Sequence, residues 1–185
     1  MDTVTASRAL VAALLASAAA ALAPAHAQNV VYEVRGIAPP APKLVSEVLS
    51  LNDGGPVVGD TYNSVPDDAV AFGYDGSAYA PLAPLPGTVF TSPTKVFASG
   101  RTIGLAGLSL ANARGVVWSP AGQIRELRRL PGHAFTAPLA GDGNGTIVGL
   151  ASKMIGELDQ PVAWYSGVVH QLPRPQGKAF GRMDG

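Results

Sequence analysis

Three glycines, Gly59, Gly104 and Gly149, stand 45 residues apart, and each closes a version of one phrase: Asn52-Asp-Gly-Gly-Pro-Val-Val-Gly59, Ala98-Ser-Gly-Arg-Thr-Ile-Gly104 and Asn144-Gly-Thr-Ile-Val-Gly149. A fixed period of this size marks a repeat architecture, in which each unit is one supersecondary element that buries its apolar face only against its neighbours. Other landmarks keep this step or one residue more, the aromatics standing 46 apart. Phe72, Trp118 and Trp164 each sit in an apolar run, and each run is followed by a small turn at Asp75-Gly76, Ala121-Gly122 or Ser166-Gly167. Leu82, Leu127 and Leu172 come next, then Gly87, Gly132 and Gly177, then Phe90, Phe135 and Phe180. Agreement of so many independent registers excludes coincidence.

Within a unit the apolar runs are four to six residues long and are punctuated by Gly, Pro, Asn or Asp, the pattern of short strands and tight turns rather than of helices. Four strands per unit follow: one at Pro56–Asp60, one carrying the aromatic, one at Ala78–Leu82, Gln123–Leu127 and Val168–Leu172, and one in the Phe run. A four-stranded unit of about 45 residues has the size of a propeller blade. The expected fold is therefore all-β, a propeller-like array of three four-stranded repeats spanning residues 45–185. Its 22 glycines and 16 prolines fit turn-rich β structure, because disordered chains are poor in apolar residues and this one is 47% hydrophobic.

The first 27 residues read differently. Arg8 precedes an apolar stretch from Ala9 to Leu22, and Ala25-His26-Ala27 presents small residues where a signal peptidase would cut. Residues 1–27 are expected to be a secretory signal peptide, residues 28–44 an N-terminal strand segment, and the mature chain exported to the periplasm or beyond, with no stable membrane span. There is no cysteine, so neither disulfides nor thiolate chemistry is available and the core alone must stabilise the domain.

Ser50–Gly59, Leu130–Phe135 and Pro161–Gly167 resemble the bacterial extracellular HAF-repeat proteins, whose units run from an aromatic strand through a Gly turn to an Asn-rich phrase ending in Val-Val-Gly. The resemblance covers residues 45–180, and it rests on the shared order and period because each motif is degenerate. His133-Ala-Phe135 stands outside the aromatic strand in which the family's own tripeptide lies, and Ala98-Ser99 departs from the usual Asn-Asp. The resemblance implies a propeller-like fold and export, and it implies no activity.

Closed propellers need about four to eight blades. Three units leave three arrangements open: part of a longer propeller, a ring completed between chains, or an open array whose blade edges favour self-association. Val30–Val34 has the pattern of Val168–Leu172 and would supply an extra strand of the same phase.

No catalytic, cofactor or metal set emerges from the sequence. His133 and His170 are too few for a histidine site, and Gly107-Leu-Ser109-Leu-Ala111 lacks the final glycine of a nucleophile elbow. Asp142-Gly-Asn144-Gly-Thr146 alternates oxygen ligands as a calcium loop does, but Ile147 and Lys153 occupy the positions that need Gly and Glu. It reads as a turn, and Gly141–Gly145 lacks the lysine of a phosphate loop. The knot of Arg125, Arg128 and Arg129 has only Glu126 beside it, yet the net charge of zero argues against nucleic acid. The recurring aromatics are expected in the core between blades rather than on sugars. The leading expectation is an exported binding protein with a protein or glycan partner. The alternatives are a glycan hydrolase or lyase using Asp67, Asp68, Glu157 or Asp159, which would then converge in one pocket, and a fragment without independent function.

Overall fold

The structure, a computed structural model, describes residues 36–63, 68–154 and 159–174. The signal segment 1–27, the Val30–Val34 strand and the Phe180 run lie outside the described residues. Met1–Gly36 separates as its own unit, and all the strands below lie in the other, Ile37–Gly185.

The fold is all-β. Three antiparallel sheets follow one another, each a meander of four strands in chain order. The first comprises β1 (Val45–Leu51), β2 (Val57–Tyr62), β3 (Val70–Tyr74) and β4 (Tyr79–Pro81). The second has β5 (Phe90–Val96), β6 (Thr102–Gly107), β7 (Arg114–Trp118) and β8 (Ile124–Glu126); the third has β9 (Phe135–Gly141), β10 (Ile147–Ser152), β11 (Gln160–Tyr165) and β12 (Val168–Gln171). The sheets form an open propeller-like array. First strands approach one another, β1 against β5 and β5 against β9, while β4, β8 and β12 are short outer edges. Short edges limit the backbone offered to a stray strand.

The phase of the repeat differs from the sequence expectation in one respect. The Phe90 and Phe135 runs open the following sheet, pairing with β6 and β10, instead of closing the sheet before. The sheets therefore start at Val45, Phe90 and Phe135.

Each first strand carries a bulge. The register jumps past Leu49 in β1, Thr94 in β5 and Leu139 in β9, and the landmark glycines pair beside it: Gly59 with Val48, Gly104 with Pro93, Gly149 with Pro138. The bulge bends the strand onto its neighbour. A Cβ on Gly59 would collide with the Glu47 carbonyl, on Gly104 with that of Ser92, and on Gly149 with that of Ala137. Absence of a side chain is what these positions require.

Apolar side chains fill the two spaces between sheets. Val58, Ala71 and Leu82 of the first unit meet Val96, Ala106, Val116 and Trp118 of the second. Ile103, Val117 and Leu127 meet Ile147, Ala151, Val162 and Trp164 in the same manner. Polar groups at these interfaces are satisfied by a repeated device. The Trp118 Nε1–H donates to the Ala83 carbonyl at 2.8 Å, and the Trp164 Nε1–H donates to the Arg128 carbonyl at 2.7 Å. Similarly, Thr91 Oγ1 accepts the Ala71 amide and Thr136 Oγ1 accepts the Gly115 amide, both at 2.8 Å. A buried amide left without an acceptor costs about 1–3 kcal/mol, so these hydroxyls align the sheets as well as fill space. Strand register corrects the aromatic series: Tyr74, opposite Val57, stands where Trp118 and Trp164 stand opposite Thr102 and Ile147, while Phe72 pairs with Gly59 and is buried beside Tyr79 with ring centroids 4.6 Å apart.

The hairpins use the expected turn residues. Ser166 and Gly167 both take positive φ, at 52° and 75°, which matches the twist of β11 and β12. At the β3–β4 turn the Asp75 Oδ1 accepts the Ser77 and Ala78 amides, each at 2.9 Å, and the Ser77 hydroxyl at 2.8 Å. These donors, the Ala78 amide first, stabilise the carboxylate and hold it down to about 2 from its ordinary 3.8. Because the folded value is depressed, the turn's contribution is complete above the unfolded value near 4 and fades as pH falls toward 2. An NMR titration should find the Ser77 and Ala78 amide shifts moving with a midpoint near 2; a midpoint near 3.8 would show that Asp75 does not cap the turn.

Candidate functional site

The meander sends its loops to two ends. The β2–β3, β6–β7 and β10–β11 loops lie at one end of the sheets, and the β1–β2, β5–β6 and β9–β10 loops with the outer hairpins lie at the other. Of the loop carboxylates, Asp68 and Asp159 are described and belong to the first end. Asp68 is held in the first sheet: its Oδ1 accepts the Asn63 amide at 3.1 Å, and its Oδ2 receives Asn63 Nδ2 at 2.9 Å and Lys43 Nζ at 3.1 Å. The Asn63 amide above all, with Lys43 beside it, keeps this carboxyl below its usual range. Such a group is a tie for the loop and a poor proton donor near neutrality. Asp159 belongs to the third sheet's loop, where its backbone carbonyl accepts Arg174 at 3.3 Å. Asp67 and Glu157 lie outside the described residues. A cavity of about 380 Å³ at this end is lined by Leu108, Asn112, Arg114, Phe135, Lys153 and Met154 among others, and neither Asp68 nor Asp159 reaches it.

Asp142 serves its own turn. Its Oδ1 accepts the amides of Asn144 at 2.8 Å and of Gly145 and Thr146 at 3.0 Å, which lowers its affinity for a proton. Gly143 beside it takes φ +76°, completing the bend. His133 turns back on the Pro131 carbonyl at 3.0 Å, and His170 stacks on Tyr165 with centroids 3.8 Å apart.

The opposite end holds a different chemistry. A cleft of about 420 Å³ opens between the second and third sheets, with Arg101, Arg125 and Arg128 on one wall and Trp164, Tyr165 and the Ser166-Gly167 turn on the other. Each arginine is placed by a distinct element. Arg101 precedes β6, and its carbonyl accepts the Phe97 amide at 2.9 Å. Arg125 is the middle residue of β8 and pairs with Val117, so it shares the face that Val117 turns toward the third sheet. Arg128 follows β8, fixed through the carbonyl that receives the Trp164 indole. Arg101 and Arg125 also border an adjoining hollow of about 650 Å³ lined by Ser119, Pro120 and Gln123. Arg101 and Arg125 thus border both hollows, which lie beside β8, the outer edge of the second sheet.

The charge balance is uneven. Glu126 is the sole carboxylate among the described lining residues, and both its oxygens face elsewhere: Oε2 toward Arg114 at 3.0 Å and Oε1 toward Arg129 at 3.3 Å. Among the described residues, Arg101, Arg125 and Arg128 have no carboxylate partner. No protein-family model matches the chain. No curated protein matches it either. No described helix is long and apolar enough to cross a membrane.

The sequence isolates the Arg125–Arg129 knot but not its division. Arg129 is spent on Glu126, whereas Arg101, 24 residues before Arg125, joins the cleft through the fold. Only strand pairing reveals that exchange.

Proposed function

We propose that the chain is an exported, non-enzymatic repeat protein of the HAF-repeat kind that binds an acidic glycan in the arginine cleft. The observation that carries this reading is the set of three guanidinium groups without carboxylate partners, gathered at a cleft in a chain whose net charge is zero. Guanidinium groups match the planar geometry of carboxylates and sulfates and bond them in pairs. The Tyr165 ring is taken by His170, stacked at 3.8 Å, so recognition in the cleft rests on the guanidinium groups. Two adjoining hollows sharing Arg101 and Arg125 suit an extended ligand with charges at intervals. Absence of a long basic stripe disfavours nucleic acid.

Calorimetric titration with uronate oligosaccharides against neutral oligosaccharides of equal length tests the reading. The acidic ligand should bind, more weakly as salt rises, and Arg125→Ala should lower affinity by roughly tenfold or more, the worth of one charged hydrogen bond. Equal binding of the neutral sugar, an unchanged Arg125→Ala variant, or turnover of the ligand by the purified chain would each overturn it.

A further inference from the structure

The repeat provides its own control for residues that break the pattern. On the second strand of each sheet, the residue after the landmark glycine is Asp60, Leu105 or Leu150; directly across on the first strand stand Glu47, Ser92 and Ala137. Two sheets therefore place an apolar residue at a position where the first places a carboxylate, and the first alone sets a second carboxylate opposite it. Directly paired residues share a face of the sheet. Asp60 lies on the face that packs against the second sheet, where it is only 6% exposed.

Its surroundings are incomplete. Oδ2 accepts the Ser92 hydroxyl at 2.8 Å, from β5 of the neighbouring sheet, while Oδ1 is buried with no partner. No cation of the chain pairs with Asp60 or Glu47 among the described residues. A buried carboxylate oxygen without a partner, with a second carboxylate paired directly across the strands, is costly unless a cation or a proton compensates it.

We propose that Glu47, Asp60 and Ser92 form a calcium-binding site at the junction of the first and second sheets. The donors are all hard oxygens, and the chain has no cysteine to favour a softer metal. Glu47 is exposed and free to adjust, which suits the flexible coordination of calcium better than the strict octahedron of magnesium, and water completes the shell. The bound ion bridges the Glu47 carboxylate and Asp60 Oδ1, while the Ser92 hydroxyl orients Asp60 from the next sheet. Calcium binding is then coupled to the docking of the two sheets. This site is independent of the arginine cleft, which lies between the second and third sheets.

The test is calorimetric titration of the full chain with calcium chloride, with magnesium chloride as comparison, accompanied by thermal melting. Wild type should give one saturable calcium binding event and a higher melting temperature in calcium. Asp60→Leu, which installs the residue of the other two repeats, should fold and lose both responses. Glu47→Gln, altered at an exposed position, should weaken binding by at least about tenfold through loss of one ligand charge. It keeps the test decisive if the Leu variant fails to fold. No saturable binding by the wild type, unchanged binding by Glu47→Gln or Asp60→Leu, or loss of binding in Asp142→Asn instead would overturn the proposal.

Discussion

Gly104→Ala is expected to cost about 3 kcal/mol of folding stability, the upper range for forcing extra volume into a packed interior. The added methyl would meet the Ser92 carbonyl, with Pro93 Cα at 2.7 Å and the Trp118 ring at 2.9 Å. Two of those three obstacles are backbone, which cannot rotate aside. Relief would require flattening the bulge at Thr94, and that would pull β5 away from its neighbours. Gly122→Ala is the matched control. Nothing lies within 4 Å of its added methyl, and the φ of +78° alone costs about 1 kcal/mol. Urea unfolding of both variants decides the matter: if Gly104→Ala is no more damaging than Gly122→Ala, close packing at the bulge is not what the 45-residue glycine serves.

Trp164→Ala should be as damaging or more so, with a loss of about 3–5 kcal/mol. The side chain is 4% exposed, packs among Ile103, Val117 and Leu127 of the second unit, and ties Arg128 through its indole. Truncation opens a cavity between the sheets and removes a hydrogen bond across them. Trp164→Phe separates the two effects. Tyr74 holds the same register in the first sheet, opposite Val57 as Trp164 is opposite Ile147, so a single-ring side chain is compatible with the strand, and the variant should lose only about 1 kcal/mol for the unpaired Arg128 carbonyl. Equal losses in the two variants would locate the whole effect in the hydrogen bond and none in packing.

Positions that recur were legible in the sequence because each performs a structural task once per sheet. Gly59, Gly104 and Gly149 announced the bulged pairing without revealing it, since a period shows that a constraint exists and not what imposes it. The two tryptophans lie in the core between sheets, as expected, and the structure adds the carbonyls that the indoles reach, whereas Phe72 is buried at a different register of the first sheet. Strand phase was harder. The Phe90 run is equally apolar whether it ends one sheet or begins the next, and only its pairing with β6 distinguishes them. Function was least legible for the opposite reason. Arg101, Glu47 and Asp60 do not recur, so periodicity passes over them, and their grouping depends on contacts between strands or sheets. A comparison of Asp60 with Leu105 and Leu150 by alignment of the repeats alone would have drawn attention to it.

The chain has two tryptophans, and they occupy different junctions: Trp118 reports on the first and second sheets, Trp164 on the second and third. Fluorescence of a single-tryptophan variant, with Phe at the other site, therefore watches one seam of the array at a time. Coincident transitions would mean that the sheets stand or fall together. Separate transitions would give an order of opening, seam by seam, so that the repeat's own core residues act as built-in optical labels for its cooperativity.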